Sequence, residues 1–268
     1  MSTNIVVPVK HVPDAQKQRT FQEDLTVDRG ESILSELDEY PLEAAIALRE
    51  AAPEAEVTII AVTVGPEDAS GAVKKALQMG ADAAFHVADD ALAGSDALGT
   101  SAALAAAIQH VGEEHGGVDL VLTGLASTDG ETSVMPAMLA ERLDFALVTR
   151  ADSVAWDEGN TGLALTRPGA DATQTVAVHF PAVVSVTDQA NEPRYPNFKA
   201  IMAAKKKPSA VLSLAEIGVE ASTVGRDAAG ASVQSATARP PREAGTVVQD
   251  EGEAGIQLAD FLAQRRLL

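Results

Sequence analysis

VDLVLTGLASTDGETSVMPAMLAERL, residues 118–143, carries the clearest fold signal in the chain. It opens with Leu120-Val121-Leu122, an apolar run of strand length. A polar loop punctuated by glycine, Gly124 to Ser133, follows it. Met135, Met138, Leu139, Arg142 and Leu143 then recur at helical spacing. A strand, a small-residue loop and a helix together bring free backbone N–H groups and a helix N-terminus to one edge of a sheet. That edge attracts phosphate, because unpaired amides and the helix dipole both favour negative charge. Thr132 and Ser133 are the candidate N-caps. The plainer alternative is an ordinary βα turn cornered at Asp129-Gly130, since neither a Walker pattern nor GxGxxG is present.

Working outward, the same alternation recurs along the first two-thirds of the chain. Strands are expected at 4–9, 57–64 and 84–87, with helices at 38–52, 67–79 and 96–110 between them, and a short hairpin around Leu25-Thr26-Val27-Asp28. Strands separated by helices of this length predict a parallel sheet covered on both faces. Ligands of such sheets lie beyond the carboxyl ends of the strands. That rule brings Pro8-Val9-Lys10, Val64-Gly65-Pro66 and Gly124–Thr132 around one crevice. From Ser153 the pattern changes to alternation at 154–156, 163–165 and 175–180, expected as an antiparallel extension of the sheet edge, before another buried strand at 181–186. The fold class is therefore α/β, a Rossmann-like sheet of adenine-nucleotide-binding type, over residues 1–208. Periodicity fades after Pro208, so 209–268 is expected to be an extended arm. Its 220–250 stretch, rich in Ala, Gly, Ser, Thr and Pro, includes Arg239-Pro240-Pro241-Arg242. The arm ends in an amphipathic helix at 255–268, too short to be stable without a docking surface.

Composition narrows the function. There is no cysteine among the 268 residues, which excludes thiolate catalysis, disulfides and Cys-ligated zinc or iron–sulfur sites. Thirty-nine acidic against 20 basic residues give a net charge of −19, an unfavourable surface for nucleic acid or anionic membranes. Such acidity suits a high-salt cytoplasm and equally an acidic protein of ordinary salt. No signal peptide or membrane span is visible, so a cytoplasmic protein without membrane insertion is expected. The five histidines (His11, His86, His110, His115, His179) share no ligand spacing, and only His11 falls near the expected crevice. Asp129 and Glu131 read more simply as turn formers or hydrogen-bond acceptors than as an acid–base pair. The residues describe a binder without catalytic residues of its own, not an enzyme.

One segment is unusual: NEPRYPNFKAIMAAKKKP, residues 191–208. Prolines bracket Tyr195 and Phe198, in a chain with six Phe and two Tyr, and a short helix then runs into Lys205-Lys206-Lys207. Exposed aromatics on a stiff loop have the form of an interface anchor. The lysines read as a solvated helix end favoured by the dipole.

These stretches together resemble the β subunit of electron-transfer flavoproteins, of the FixA/EtfB type. The likeness is carried by VPVKHVPD at 7–14, VTVGPEDASGAVKKALQMGAD at 62–82, GLASTDGETSVMPAMLAERL at 124–143 and FPAVVSVTDQANEPRYPNFKAIMAAKKKP at 180–208. It implies a heterodimer with an α subunit that holds the redox-active FAD. Such a heterodimer passes electrons from acyl-CoA or other flavin dehydrogenases to a quinone oxidoreductase or similar acceptor. It also implies a structural AMP in this chain, or a second FAD in its place as in electron-bifurcating members. By position, the nucleotide contacts fall to Pro8, to Ser35, Glu36, Leu37 and Asp38, to Val64, and to Ser127, Thr128, Asp129, Gly130, Glu131, Thr132, Ser133 and Val134. Partner recognition falls to Glu192, Pro193, Arg194, Tyr195, Phe198 and Ile201, with Phe198 in the place of the apolar anchor, and the arm is expected to wrap the α subunit. Val134 and Pro136 stand where many bifurcating members have glutamine and glycine, Ser35 replaces a common asparagine, and Ala15 stands where some relatives carry an aromatic. AMP is therefore the favoured occupant. A stand-alone ATP- or AMP-binding regulator on the same kind of fold is the alternative of a different class, though it would have no use for the 191–207 segment or the arm.

Overall fold

The computed structural model describes residues 2–237, 239–241 and 244–268. In chain order its elements are β1 (Ser2–Pro8), β2 (His11–Pro13), β3 (Ser32–Leu34), α1 (Glu36–Ala51), β4 (Glu56–Val64), α2 (Ser70–Met79), β5 (Ala83–Val87), α3 (Ala97–His115), β6 (Leu120–Gly124), α4 (Met135–Leu143), β7 (Ala146–Ala151), β8 (Ser153–Trp156), β9 (Gly162–Pro168), β10 (Thr173–His179), β11 (Ala182–Val186), α5 (Phe198–Ala204), β12 (Ser209–Leu212), α6 (Gly225–Ala228) and α7 (Ala254–Gln264). Residues up to Gln234 form one compact unit and Ser235–Leu268 a second.

Seven strands form one sheet in the order β12-β5-β4-β1-β6-β11-β7, all paired in parallel. Side chains pointing alternately to the two faces of the central strands feed two cores. Ile5 and Val7 of β1 pack with Leu42 and Ile46 of α1 and Leu77 of α2. Val6 turns the other way, to Leu104 and Ile108 of α3 and Leu139 of α4. Each such fully buried Ile or Leu contributes about 1.5–3 kcal/mol. Aliphatic burial on both faces therefore makes the sheet a stiff scaffold despite 3% aromatic content.

The topology fixes where a ligand can sit. After β1 the chain moves outward through β4 and β5, then returns to the far side of β1 for β6. The strand order thus reverses between β1 and β6, and their carboxyl ends diverge into a crevice. Gly124, the last residue of β6, lies against the first turn of α1. A side chain there would run into the Leu37 carbonyl and approach Asp38 Oδ1 to 3.0 Å.

Four features depart from the sequence reading. The antiparallel strands are present, but they pair among themselves as β10-β9-β8 rather than joining the large sheet. The edge they flank is β7, a parallel partner of β11. The sheet's other edge is β12, so the first unit continues well beyond residue 208. The expected hairpin near residues 25–28 amounts to a bridge between Phe21 and Val27. Within the second unit α7 has no buried residue, and Arg265 lies 5.4 Å from the centre of the Phe261 ring. Of the expected arm, Ala238, Arg242 and Glu243 lie outside the described residues.

Candidate functional site

At the β1/β6 switch point a cleft of about 290 Å³ opens. Its floor and walls come from Pro8 at the end of β1 with Val9 and Lys10 beyond it, Asp38 of α1, Val64 of β4, and Thr123 to Ser127 at and after the end of β6. The far side is Ser95, Asp96, Ala97, Thr100 and Leu104 at the start of α3, and the rim is Gly130, Thr132, Ser133, Met135 and Pro136. A larger hollow, about 400 Å³, lies by Thr3, residues 52–55 and Trp156. It adjoins the amino end of β1 and offers one carboxylate, Glu54, and no cation, so it lacks the chemistry of an anion site.

Four polar arrangements define the cleft. The Thr123 hydroxyl is buried there without a hydrogen-bond partner, as is Ser35 Oγ just before α1. A buried hydroxyl left unpaired costs about 1–3 kcal/mol, so such a group is a standing demand for a ligand atom or water. Asp38 is buried, and its carboxylate accepts the Lys10 backbone N–H at 2.8 Å. Burial pushes its acid up to about 7, opposed by the Lys10 hydrogen bond and charge and helped by the Asp129 charge. A carboxyl at the cleft floor therefore exchanges its proton near neutrality.

The third arrangement is a charge cluster on the loop. Lys10 Nζ reaches Asp129 Oδ1 at 2.8 Å and Ser127 Oγ at 3.3 Å, and Arg29 donates to Asp129 Oδ2 at 2.9 Å. Arg19 donates to the Thr128 carbonyl at 3.1 Å. Desolvation pushes the Asp129 carboxyl up, but the Lys10 hydrogen bond and charge, with Ser127 and Arg29, hold it well below the usual carboxylate range. Lys10, Arg19 and Arg29 thus gather on the Asp129 side of the mouth, in a chain of net charge −19, while Asp38 and Asp96 line the cleft itself. An anionic ligand would find its cations on this side of the cleft.

Fourth, the loop backbone is held in an uncommon shape. Glu131 and Ser133 have φ of 49° and 55°, conformations that cost a non-glycine residue about 1–2 kcal/mol. This shape displaces the expected caps. Val134 is the N-cap of α4, with no side-chain hydrogen bond, and Pro136 sits in the first turn. Freed from capping, Thr132 and Ser133 line the cleft instead.

Of the nucleotide contacts expected from the sequence, Pro8, Asp38, Val64, Ser127, Gly130, Thr132 and Ser133 line this cleft. Ser35, Glu36, Leu37, Thr128, Asp129, Glu131 and Val134 stand behind or beside it. Asp129 acts through its two cations, and Leu37 through the close approach of its carbonyl to Gly124. His11 does not line it: it lies on β2 beside Gly71. Sequence reasoning missed the α3 side of the cleft. Asp96 there caps α3 through Gly99 N and also accepts Gly230 N at 2.9 Å, while Gly225 N donates to Ser95 Oγ. The signal available was Asp96 itself, a capping residue ahead of an alanine-rich helix.

The segment at 191–208 presents a different surface. Tyr195 and Phe198 are 91% and 79% exposed, joined by Met202, while Ile201 is half-buried. Arg194 turns back onto α1, forked to Glu43 and Glu50 at 2.7–3.0 Å. Lys207 Nζ donates to the Leu77 and Ala81 carbonyls at the end of α2. The last of the three lysines is therefore a cap for another helix, whereas Lys205 and Lys206 are exposed as expected.

Comparison with known proteins gives the family. The electron transfer flavoprotein domain family matches residues 24–217. The chain is 42% identical to the electron transfer flavoprotein subunit beta of Mycobacterium tuberculosis strain H37Rv, across 99% of this chain and all of that one. It is 31% identical to the caffeyl-CoA reductase-Etf complex subunit CarD of Acetobacterium woodii, over 91% of each chain. Protein FixA of Azorhizobium caulinodans is 32% identical over 81% of this chain and 77% of its own. The chain belongs to the electron transfer flavoprotein family, as a β subunit of the FixA/EtfB type.

Proposed function

We propose that this chain is the nucleotide-holding, partner-docking half of a heterodimeric electron carrier, working in the cytoplasm and catalysing no reaction of its own. The α subunit holds the FAD that accepts and releases electrons, and this chain forms one wall of that site. An AMP occupies the cleft at the β1/β6 switch point and is structural: it ties together the ends of β1, β4 and β6 and stabilises the native state by mass action. The observation that carries this reading is the cleft's composition. Apolar walls from Pro8, Val64 and Leu104 suit a purine, and a rim of hydroxyls beside Lys10 and Arg29 suits a phosphate. The unpaired Thr123 hydroxyl gives such a ligand a group to satisfy.

On this reading the loop carrying Tyr195 and Phe198 meets acyl-CoA or other flavin dehydrogenases, and electrons leave toward a quinone oxidoreductase or comparable acceptor. The arm engages the α subunit. Acidic surface charge tunes encounter rates with these partners more than affinity and is muted at high salt. A stand-alone nucleotide sensor is disfavoured by the full-length likeness to β subunits. The experiment is co-expression with a flavoprotein α subunit from the same source. A yellow one-to-one complex is expected; a colourless protein that purifies alone as a nucleotide-binding homodimer would overturn the proposal.

A further inference from the structure

The exposed aromatic loop is fastened at points far apart in sequence. Asn191 Nδ2 donates to the Tyr40 carbonyl at 2.9 Å, and Asn197 caps α5 by accepting Ala200 N at 2.9 Å. The strongest fastening is Arg194. Its Nε and one NH2 hydrogen bond take both oxygens of Glu43, each at 2.8 Å, while NH1 and NH2 take both oxygens of Glu50 at 2.7 and 3.0 Å. Its backbone N–H adds a third contact to Glu43, at 3.2 Å. Glu43 and Glu50 are seven residues apart, two turns of α1, and so share a face. Glu43 is buried, so it needs this cation.

We infer that Arg194 is a positioning residue for electron-transfer partners: by gripping Glu43 and Glu50 it holds Tyr195 and Phe198 outward in the pose in which a partner protein meets them. This rests on the reading of the loop as a docking surface. Arg194 is poorly suited to touch a partner itself. A guanidinium has five N–H donors, and four of them are spent on α1. One cation against two carboxylates leaves the cluster net negative, so an acidic partner group gains nothing there. What the clamp supplies is rigidity. Pro193 and Pro196 limit the backbone on either side, and the double fork fixes the remaining freedom, lowering the ordering cost of docking. Lysine keeps the charge but has no fork to match two carboxylates.

The test uses the intact heterodimer as electron acceptor for an acyl-CoA dehydrogenase reduced by its acyl-CoA substrate. Arg194→Lys is expected to raise the KM for the heterodimer about tenfold, with kcat within twofold. FAD content and photoreduction of the bound flavin should stay at parent values. Glu50→Gln, which leaves the Glu43 fork in place, should raise KM about threefold and carries the test if Arg194→Lys folds poorly. Phe198→Ala separates the two layers. If Phe198→Ala raises KM and neither clamp variant does, the positioning role is wrong and the docking surface stands. If Phe198→Ala and Tyr195→Ala both leave KM unchanged, the docking surface fails, and the positioning role with it. A fall in kcat at unchanged KM in Arg194→Lys would also overturn the inference.

Discussion

The cleft and the 191–207 loop are opposites in what they leave unsatisfied. The cleft joins apolar walls to a hydroxyl without a partner: Thr123 Oγ1 lines it unpaired, and Ser35 Oγ lies buried beside it. On the loop the apolar groups lack cover: Tyr195 and Phe198 face outward beside Arg194, which is forked twice. Asn191 Oδ1, in the loop, is also buried without a partner. A surface short of hydrogen bonds calls for a small polar ligand, and one short of apolar cover calls for a protein. On the proposed reading one chain thus carries two recognition surfaces that differ in kind.

The largest effect on the cleft is expected at Gly124. Gly124→Ala forces the first turn of α1 away from β6, because the new Cβ meets the Leu37 carbonyl. We expect a loss of about 3 kcal/mol in denaturant melts and loss of the AMP-dependent rise in Tm. An unaltered AMP response would show that the cleft is not the nucleotide site. Next in size, Arg194→Met leaves Glu43 buried without its cation and should cost about 2 kcal/mol. In a double-mutant cycle with Glu43→Gln that loss should largely vanish, while AMP binding stays as in the parent protein.

Asp38 sharpens the cleft side through pH. Its folded-state acid, near 7, lies above the ordinary value of 3.8, so the folded protein keeps a proton that the unfolded chain has released. The stability this gives is complete below about pH 4, declines as pH rises, and is gone above about pH 7. Asp38→Asn removes that decline, and the variant should exceed the parent by about 1 kcal/mol at pH 8 in nucleotide-free protein. Parallel melting profiles of parent and variant from pH 4 to 8 would rule this out. The smallest effect is expected at Thr123→Val. Removing an unpaired hydroxyl should leave the nucleotide-free protein equal or up to about 1 kcal/mol more stable, while weakening nucleotide retention.

The sheet centre and the switch-point cleft were legible in the sequence because they depend on local pattern. Val57–Val64 and Leu120–Gly124 are apolar runs with turn signals at their ends, and the strand-end rule then placed Lys10 near Gly124. The sheet edges were not legible. β7 buries only Val148 and Ala151, and β12 only Leu212, so the short apolar runs Ala146-Leu147-Val148 and Ala210-Val211-Leu212 carry no buried face to set a sheet edge apart from a loop. Long-range pairings were equally silent. Arg194 and Glu43 are 151 residues apart, and nothing near Arg194 distinguishes an inward guanidinium from an outward one. Thr132 and Ser133 looked like caps because their chemistry fits one. The positive φ at Glu131 and Ser133, a cost accepted within the cleft loop, moves the cap to Val134.

In the proposed carrier the cleft binds a structural adenylate while the redox flavin belongs to the partner. The most direct measurement is denaturing release of nucleotide from the purified α/β complex, separated and counted against protein. One FAD and one AMP per heterodimer is the predicted result. Two FAD and no AMP would contradict it, making Gly124–Val134 part of a redox centre rather than a structural clasp.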